Sequence, residues 1–218
     1  MLKSIIAKLL FWLVSLLHIS GIVLENSQLQ FFTKPFIILL LIVLYAVSVS
    51  QRSKWYIFAL VFSFLGDVLL MGEGEIYFII GLVSFLMAHL LFIKIIASKL
   101  TVIKTASLLK SIIPFGIFLV FLLSLLFPHL YGLKIPVFIY GTVISIFGIT
   151  ATIWFLQKKS LGAMFMFSGA IVFAISDSVL AINKFYYTDQ TLRIIVMITY
   201  ILAQYLILKS MILDEESN

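Results

Sequence analysis

Asp67, in FSFLGDVLLM, and Asp177, in FAISDSVLAI, are carboxyls set inside strongly apolar stretches of a chain with only 9 acidic residues in all. An ionisable side chain at the centre of a membrane helix costs about 2.5–3.5 kcal/mol on insertion scales, so it usually faces a protein interior or a watery cavity and acts there. The remaining acids, Glu25, Glu73, Glu75, Asp189, Asp214, Glu215 and Glu216, fall in expected loops or the tail. Two carboxyls at one place suit acid–base chemistry. One, protonated, gives a proton, while the other, ionised, stabilises a developing cation and activates water.

A smaller polar inventory surrounds this pair. Lys34 and Lys184 lie at expected helix ends near the depth of the acids, where they could neutralise a substrate phosphate or an aspartate, or simply snorkel to the interface. His89, in GLVSFLMAHLLF, is deeper and reads either as a proton-handling group or as one half of an inter-helix hydrogen bond. Tyr200 and Gln204, four residues apart, share one helix face and could line a polar pocket or bond between helices. Tyr140 and Asn183 are similar candidates. Three histidines on separate segments, without His-x-x-His or Glu-x-x-His spacing, and no cysteine give no metal set, so neither a metal nor a cofactor is expected. P-loop, Gly-x-Ser-x-Gly and dinucleotide patterns are also missing.

The elements that must position these groups follow from composition. A chain of 218 residues that is 63% hydrophobic and 11% charged cannot cover a soluble surface, so an all-α integral membrane protein is expected. Apolar runs of membrane-spanning length recur at about 4–24, 35–50, 54–71, 76–97, 107–127, 135–156, 161–183 and 191–211. Short connections between these eight expected transmembrane helices make residues 1–218 one helical domain. The first run reads as a retained helix rather than a signal peptide, since no small-x-small cleavage site follows it.

Eight spans put alternate loops on one side, and the basic residues divide unevenly. Lys3, Lys8, Arg52, Lys54, Lys94, Lys99, Lys104, Lys110, Lys158, Lys159 and Lys209 share one side, against Lys34, Lys134, Lys184 and Arg193 on the other. The positive-inside rule then places both termini in the cytoplasm, here of a bacterial cell (inner) membrane. The net charge of +6 is accounted for by topology and attraction to membrane lipids rather than by nucleic acid.

An internal duplication is suggested by order. A Lys-Pro element opens the second and sixth expected helices (Thr33–Phe36 and Leu133–Phe138), and the third and seventh carry Asp67-Val68-Leu69-Leu70 and Asp177-Ser178-Val179-Leu180. Two four-helix halves of like orientation would put the acids at one depth, facing each other around a polar cavity. Small neighbours Gly66, Gly169 and Ser176 would let the helices approach closely.

The combined pattern is Lys-Pro, Gly66-Asp67-x-x-Leu70, Phe78-x-x-Gly81, Phe85-x-x-x-His89, Gly162-Ala163-Met164-Phe165, Ser176-Asp177-x-x-Leu180-Ala181 and Tyr200-x-x-x-Gln204. In this order it resembles the YhhN-like lysoplasmalogenase family across nearly the whole chain. The resemblance implies a lysophospholipid substrate: hydrolysis of the vinyl-ether bond of lysoplasmalogen to a fatty aldehyde and glycerophospho-ethanolamine or -choline. A related lipid substrate is also compatible with it. Paired aspartates fit that chemistry, because a vinyl ether resists base but yields an oxocarbenium ion once its β-carbon is protonated. The other readings are a proton-coupled transporter of a lipid or small solute, and a scaffold whose acids are satisfied by buried hydrogen bonds.

Overall fold

Eight α-helices run antiparallel in sequence order in the computed structural model, which describes residues 2–216 with the side chain of Glu216 excepted. They are α1 (Leu2–Val23), α2 (Ser27–Ser48), α3 (Lys54–Leu69), α4 (Glu75–Ala97), α5 (Thr105–Leu126), α6 (Lys134–Lys158), α7 (Leu161–Phe185) and α8 (Gln190–Glu216). Two 3₁₀ turns, Phe127–His129 and Tyr131–Leu133, join α5 to α6.

Seven of these helices are long and apolar enough to cross a membrane, where eight spans are expected from the apolar runs. The exception is α3, whose 16 residues reach about 24 Å at 1.5 Å per residue, short of the ~30 Å hydrocarbon core. It stops where Leu70–Gly72 turn back and Gly74, at φ +99°, opens α4 in a conformation that glycine adopts without strain.

The second helix departs from expectation at its start. Asn26 accepts a 2.9 Å hydrogen bond from the Leu29 amide and begins α2 at Ser27, so Pro35 lies inside the helix rather than in its first turn. Pro136 does fall in the first turn of α6. The two Lys-Pro elements therefore occupy different helical positions. What reads as a matching pair of start signals is one start signal and one interior proline.

Packing follows chain order, with α1 on α2, α3 on α4, α5 on α6 and α7 on α8, while α4 meets α6 and α8 meets α1 and α2. Small residues set the closest approaches. A Cβ on Gly66 would stand 2.6 Å from the Phe85 ring of α4, and one on Gly169 would stand 2.8 Å from Ile207 of α8. Ser176 Oγ donates to the Val196 carbonyl of α8 at 3.0 Å. The core that results is rich in aromatics, including the fully buried Tyr45, Tyr56, Phe92, Phe147 and Phe173. Outward-facing Leu13, Ile117, Val120 and Phe121 remain exposed, as lipid-facing positions must be.

Alternation gives the bundle two ends of opposite character. One gathers Arg52, Lys94 and Lys99 around a cavity of about 340 Å³, where Lys94 lies 3.4 Å above the Trp55 ring and Lys99 pairs with Asp214. The other gathers the ends of α1, α3 and α7 with the starts of α2, α4 and α8.

Candidate functional site

Asp67, which is buried, and Asp177, which is partly buried, are each held by a tyrosine from another helix. Asp67, only 3% exposed, accepts a 2.7 Å hydrogen bond from the Tyr200 hydroxyl of α8, and Gln204 Nε2 in turn lies 3.5 Å from that hydroxyl. Asp177 on α7 accepts a 2.5 Å bond from the Tyr140 hydroxyl of α6. A phenol donating to a carboxyl fixes which oxygen is bonded and leaves the other oxygen available. Tyr140 is thus a direct partner of an acid, a closer role than its place in the sequence suggests.

His89 of α4 sits beside Asp177 without bonding it. Its Nε2 is 4.0 Å from the carboxyl Oδ2, too long for a hydrogen bond, and neither ring nitrogen has a partner although the residue is 0% exposed. The imidazole is walled by rings instead: Phe173 at 4.6 Å, Tyr140 at 5.6 Å, and Phe92 and Phe147. Phe173 also packs edge-on against Tyr200 at 5.6 Å, and Phe85 lies against both. An aromatic belt therefore joins the two acids, from Tyr200 through Phe85 and Phe173 to His89 and Tyr140.

Above the acids lies a vestibule of about 240 Å³ lined by Lys34, Lys184, Arg193, His18 and Asn183, with no acidic residue in its wall. Among the described residues, Lys34 makes no direct ion pair with Asp67. Arg193 is braced by a 2.9 Å bond to Gln30 Oε1, and His18 Nδ1 lies 2.9 Å from the Thr33 hydroxyl. Lys184 stands 5.3 Å over the Phe78 ring. Asn183 faces its own loop as well, where its Oδ1 accepts from the Asp189 amide at 2.8 Å.

Below the vestibule, Leu70, Phe78 and Leu180 form a throat, because the same three side chains also wall a smaller pocket of about 30 Å³. Asp177 and Tyr140 are the polar groups of that pocket, and the rest of its wall is apolar. Its volume is that of a water or two. Leu70 lies three residues beyond Asp67, and Leu180 three beyond Asp177. The two Asp-x-x-Leu tetrads thus converge on one throat, each acid a turn beneath its leucine. The single polar cavity expected around both acids resolves into two adjoining spaces. Asp177 lines the small pocket, and Asp67 is not part of its wall.

Sequence reasoning brought Asp67, Asp177, Lys34, His89, Tyr140, Asn183, Lys184, Tyr200 and Gln204 to attention, and all of them lie in this half of the bundle. It missed Arg193 and His18 as vestibule residues and Phe85 and Phe173 as the belt. Arg193 is one of only two arginines in the chain and the only one on this side, which is the signal that could have found it. Among the described residues, no three histidines or carboxyls converge as a metal set would.

Residues 29–211 match the YhhN family model. The chain is similar to the proteins named lysoplasmalogenase TMEM86A of Bos taurus (28% identical) and Homo sapiens (27%), in each case over 72% of this chain and 65% of the relative. It is 31% identical to lysoplasmalogenase TMEM86B of Mus musculus over 80% of this chain and 71% of that one. The chain thus spans just under two thirds of the length of the two TMEM86A proteins. No solved structure matches it.

Proposed function

The chain belongs to the YhhN family, and from that premise we propose that it hydrolyses the vinyl-ether bond of lysoplasmalogen, releasing a fatty aldehyde and glycerophospho-ethanolamine or -choline. The observation that carries this reading is a pair of tyrosine-held aspartates, Asp177 in the wall of the small pocket and Asp67 one turn before Leu70, beside a vestibule whose charged side chains are all basic. Lys34, Lys184 and Arg193 suit a phosphate, as Arg and Lys clusters do. The throat then directs the glycerol ether oxygen and the alkenyl carbons toward the acids. With room for only a water or two at Asp177, Leu70, Phe78 and Leu180 must swing aside for the substrate, a rotamer change open to flexible apolar side chains.

Asp177, the acid in the pocket wall, gives its proton to the β-carbon of the vinyl ether. Tyr140 holds one carboxyl oxygen and turns the other toward the pocket. Asp67, which receives the Tyr200 hydrogen bond and faces the Lys34 charge, remains the anion that stabilises the oxocarbenium ion. Water adds to the α-carbon and yields its proton to Asp177, with His89 placed to take part in that transfer. The hemiacetal collapses to aldehyde and glycerol hydroxyl, so one water is consumed per bond broken. Every step uses side chains of this chain and membrane lipid, with no metal or cofactor and no nucleic acid.

Free aldehyde released from lysoplasmalogen by the purified protein tests the proposal. Activity should survive exhaustive chelation, show a clearly normal solvent deuterium isotope effect, and fall on the alkaline side as the proton-donating carboxyl ionises. Activity lost to chelator and restored by zinc would overturn the metal-free mechanism.

The arrangement also supports two four-helix halves related about the membrane normal. Asp67 of α3 is bonded from α8 and Asp177 of α7 faces α4, so each acid looks to the closing helix of the other half. The 340 Å³ cavity at the opposite end favours one second reading, a proton-coupled transporter. Lipid flux in proteoliposomes without aldehyde release would select it.

A further inference from the structure

An apolar groove of about 210 Å³ runs between α4 and α6 in the same half of the bundle as the acids. Its walls are Leu82, Val83 and Leu86 on one side and Ile135, Ile139 and Tyr140 on the other. It opens to the outside of the bundle, since Val83 is 50% exposed and Ile139 is 47% exposed. It also adjoins the acid pocket, because Leu82 and Tyr140 belong to both walls. Tyr140 thus lines the groove while its hydroxyl holds Asp177.

We propose that this groove is the binding site for the single hydrocarbon chain of the substrate, entered sideways from the membrane between α4 and α6. The inference rests on the lysoplasmalogen reading and adds to it the place and direction of the chain. Three spaces adjoin in order, the basic-lined vestibule, the acid pocket and the apolar groove, with Leu70, Phe78 and Leu180 shared by the first two and Leu82 and Tyr140 by the last two. That order matches a lysolipid, whose phosphate, reactive ether and hydrocarbon tail follow one another along the molecule. The geometry commits to one occupant because only a chain lying in the groove can deliver its first carbons to Asp177 while its head stays among the cations. A groove filled by ordinary bilayer lipid would need no shared wall with the acid pocket at Tyr140.

Two measurements test this on the full-length protein. Val83→Trp and Ile139→Trp fill the groove from its lipid-facing rim, away from both acids. With a long-chain alkenyl substrate, kcat/KM should fall by about tenfold or more, mainly through KM, while a short-chain, water-soluble alkenyl glycerophosphoethanolamine keeps its wild-type turnover. Equal loss on both substrates, or no loss on either, would overturn the groove and leave the hydrolase reading standing. Independently of activity, a single-chain lysophosphoethanolamine bearing a terminal diazirine should label residues 79–86 or 135–140, and a long-chain lysolipid should compete while diacyl phosphatidylethanolamine should not. Labelling spread over the lipid-facing surface, or competed equally by diacyl lipid, would overturn the proposal. If the wild-type protein releases no aldehyde, the hydrolase reading falls, and the labelling still decides whether the groove holds a single-chain lipid.

Discussion

At the scale of single residues, the two aspartates differ in what surrounds them, and their replacements should differ in consequence. Asp177→Asn keeps shape and hydrogen bonding but removes the proton, so turnover should fall by on the order of 10²–10⁴ with the fold intact, as measured by initial rates and thermal unfolding in detergent. Tyr140→Phe removes only the donor that orients the carboxyl, a hydrogen bond that reaches the charged kind, worth about 1.5–3 kcal/mol, as Asp177 gives up its proton. It should lower kcat by about 10–100-fold with KM little changed. Tyr200→Phe at Asp67 should behave similarly, whereas a scaffold in which these bonds served only stability would lose melting temperature rather than rate. The acids themselves were legible in the sequence because a carboxyl in an apolar helix is costly to insert and so stands out from its neighbours. Their partners were less so. Tyrosine is common on membrane helices, and only the bundle shows that the hydroxyls of Tyr140 and Tyr200 reach across to other helices.

Among the elements, close helix approach beside each acid is what brings the aromatic belt into place. Gly66→Ala would set a methyl group 2.6 Å from the Phe85 ring, so α3 and α4 must separate or Phe85 must turn. Overpacking of this kind costs about 1–3 kcal/mol, and because Phe85 also walls the acid pocket, activity should drop further than stability does. Paired melting and rate measurements on this variant would show that split. The start of α8 offers a test by pH. Hydrogen bonds from the Thr191 side chain and amide hold the Asp189 carboxyl below the usual carboxylate range. A group whose folded value is depressed stabilises the fold above its ordinary range and loses that contribution as pH falls through the folded value. Protection factors of the first-turn amides of α8, with the intrinsic pH dependence of exchange divided out, should accordingly fall on acidification, and that fall should be absent in Asp189→Asn. Helix existence was readable from the apolar runs, but two boundaries were not. Pro35 draws the eye as a helix start, while Asn26 provides the real cap several residues earlier. The short α3 reads as a full span only when the turn residues after Leu69 are counted with it.

For the whole molecule, the uneven spread of basic residues implies a direction in the membrane that one experiment can settle. The loops after α2, α4 and α6 lie at the lysine-rich end, and those after α1, α3, α5 and α7 lie at the end holding the vestibule. Charge bias of this kind orients a helical bundle with its basic loops in the cytoplasm, so the vestibule and acid pocket should face the opposite, outer side. The charge bias was readable from the sequence, since it needs only the order of apolar runs and the positions of lysine. The sequence could not show that the vestibule cations meet above the acids, because Lys34, Lys184 and Arg193 come from three separate helices and only packing of α2 and α7 against α8 unites them. The chain has no cysteine, so single cysteines can be introduced without background. Gly132→Cys and Tyr187→Cys, at the vestibule end, should react with a membrane-impermeant maleimide in intact cells. Ser50→Cys and Lys159→Cys, at the lysine-rich end, should react only after the membrane is opened. The reverse pattern would place the acids toward the cytoplasm and would mean that substrate enters from the inner leaflet, with the lateral groove between α4 and α6 opening there as well.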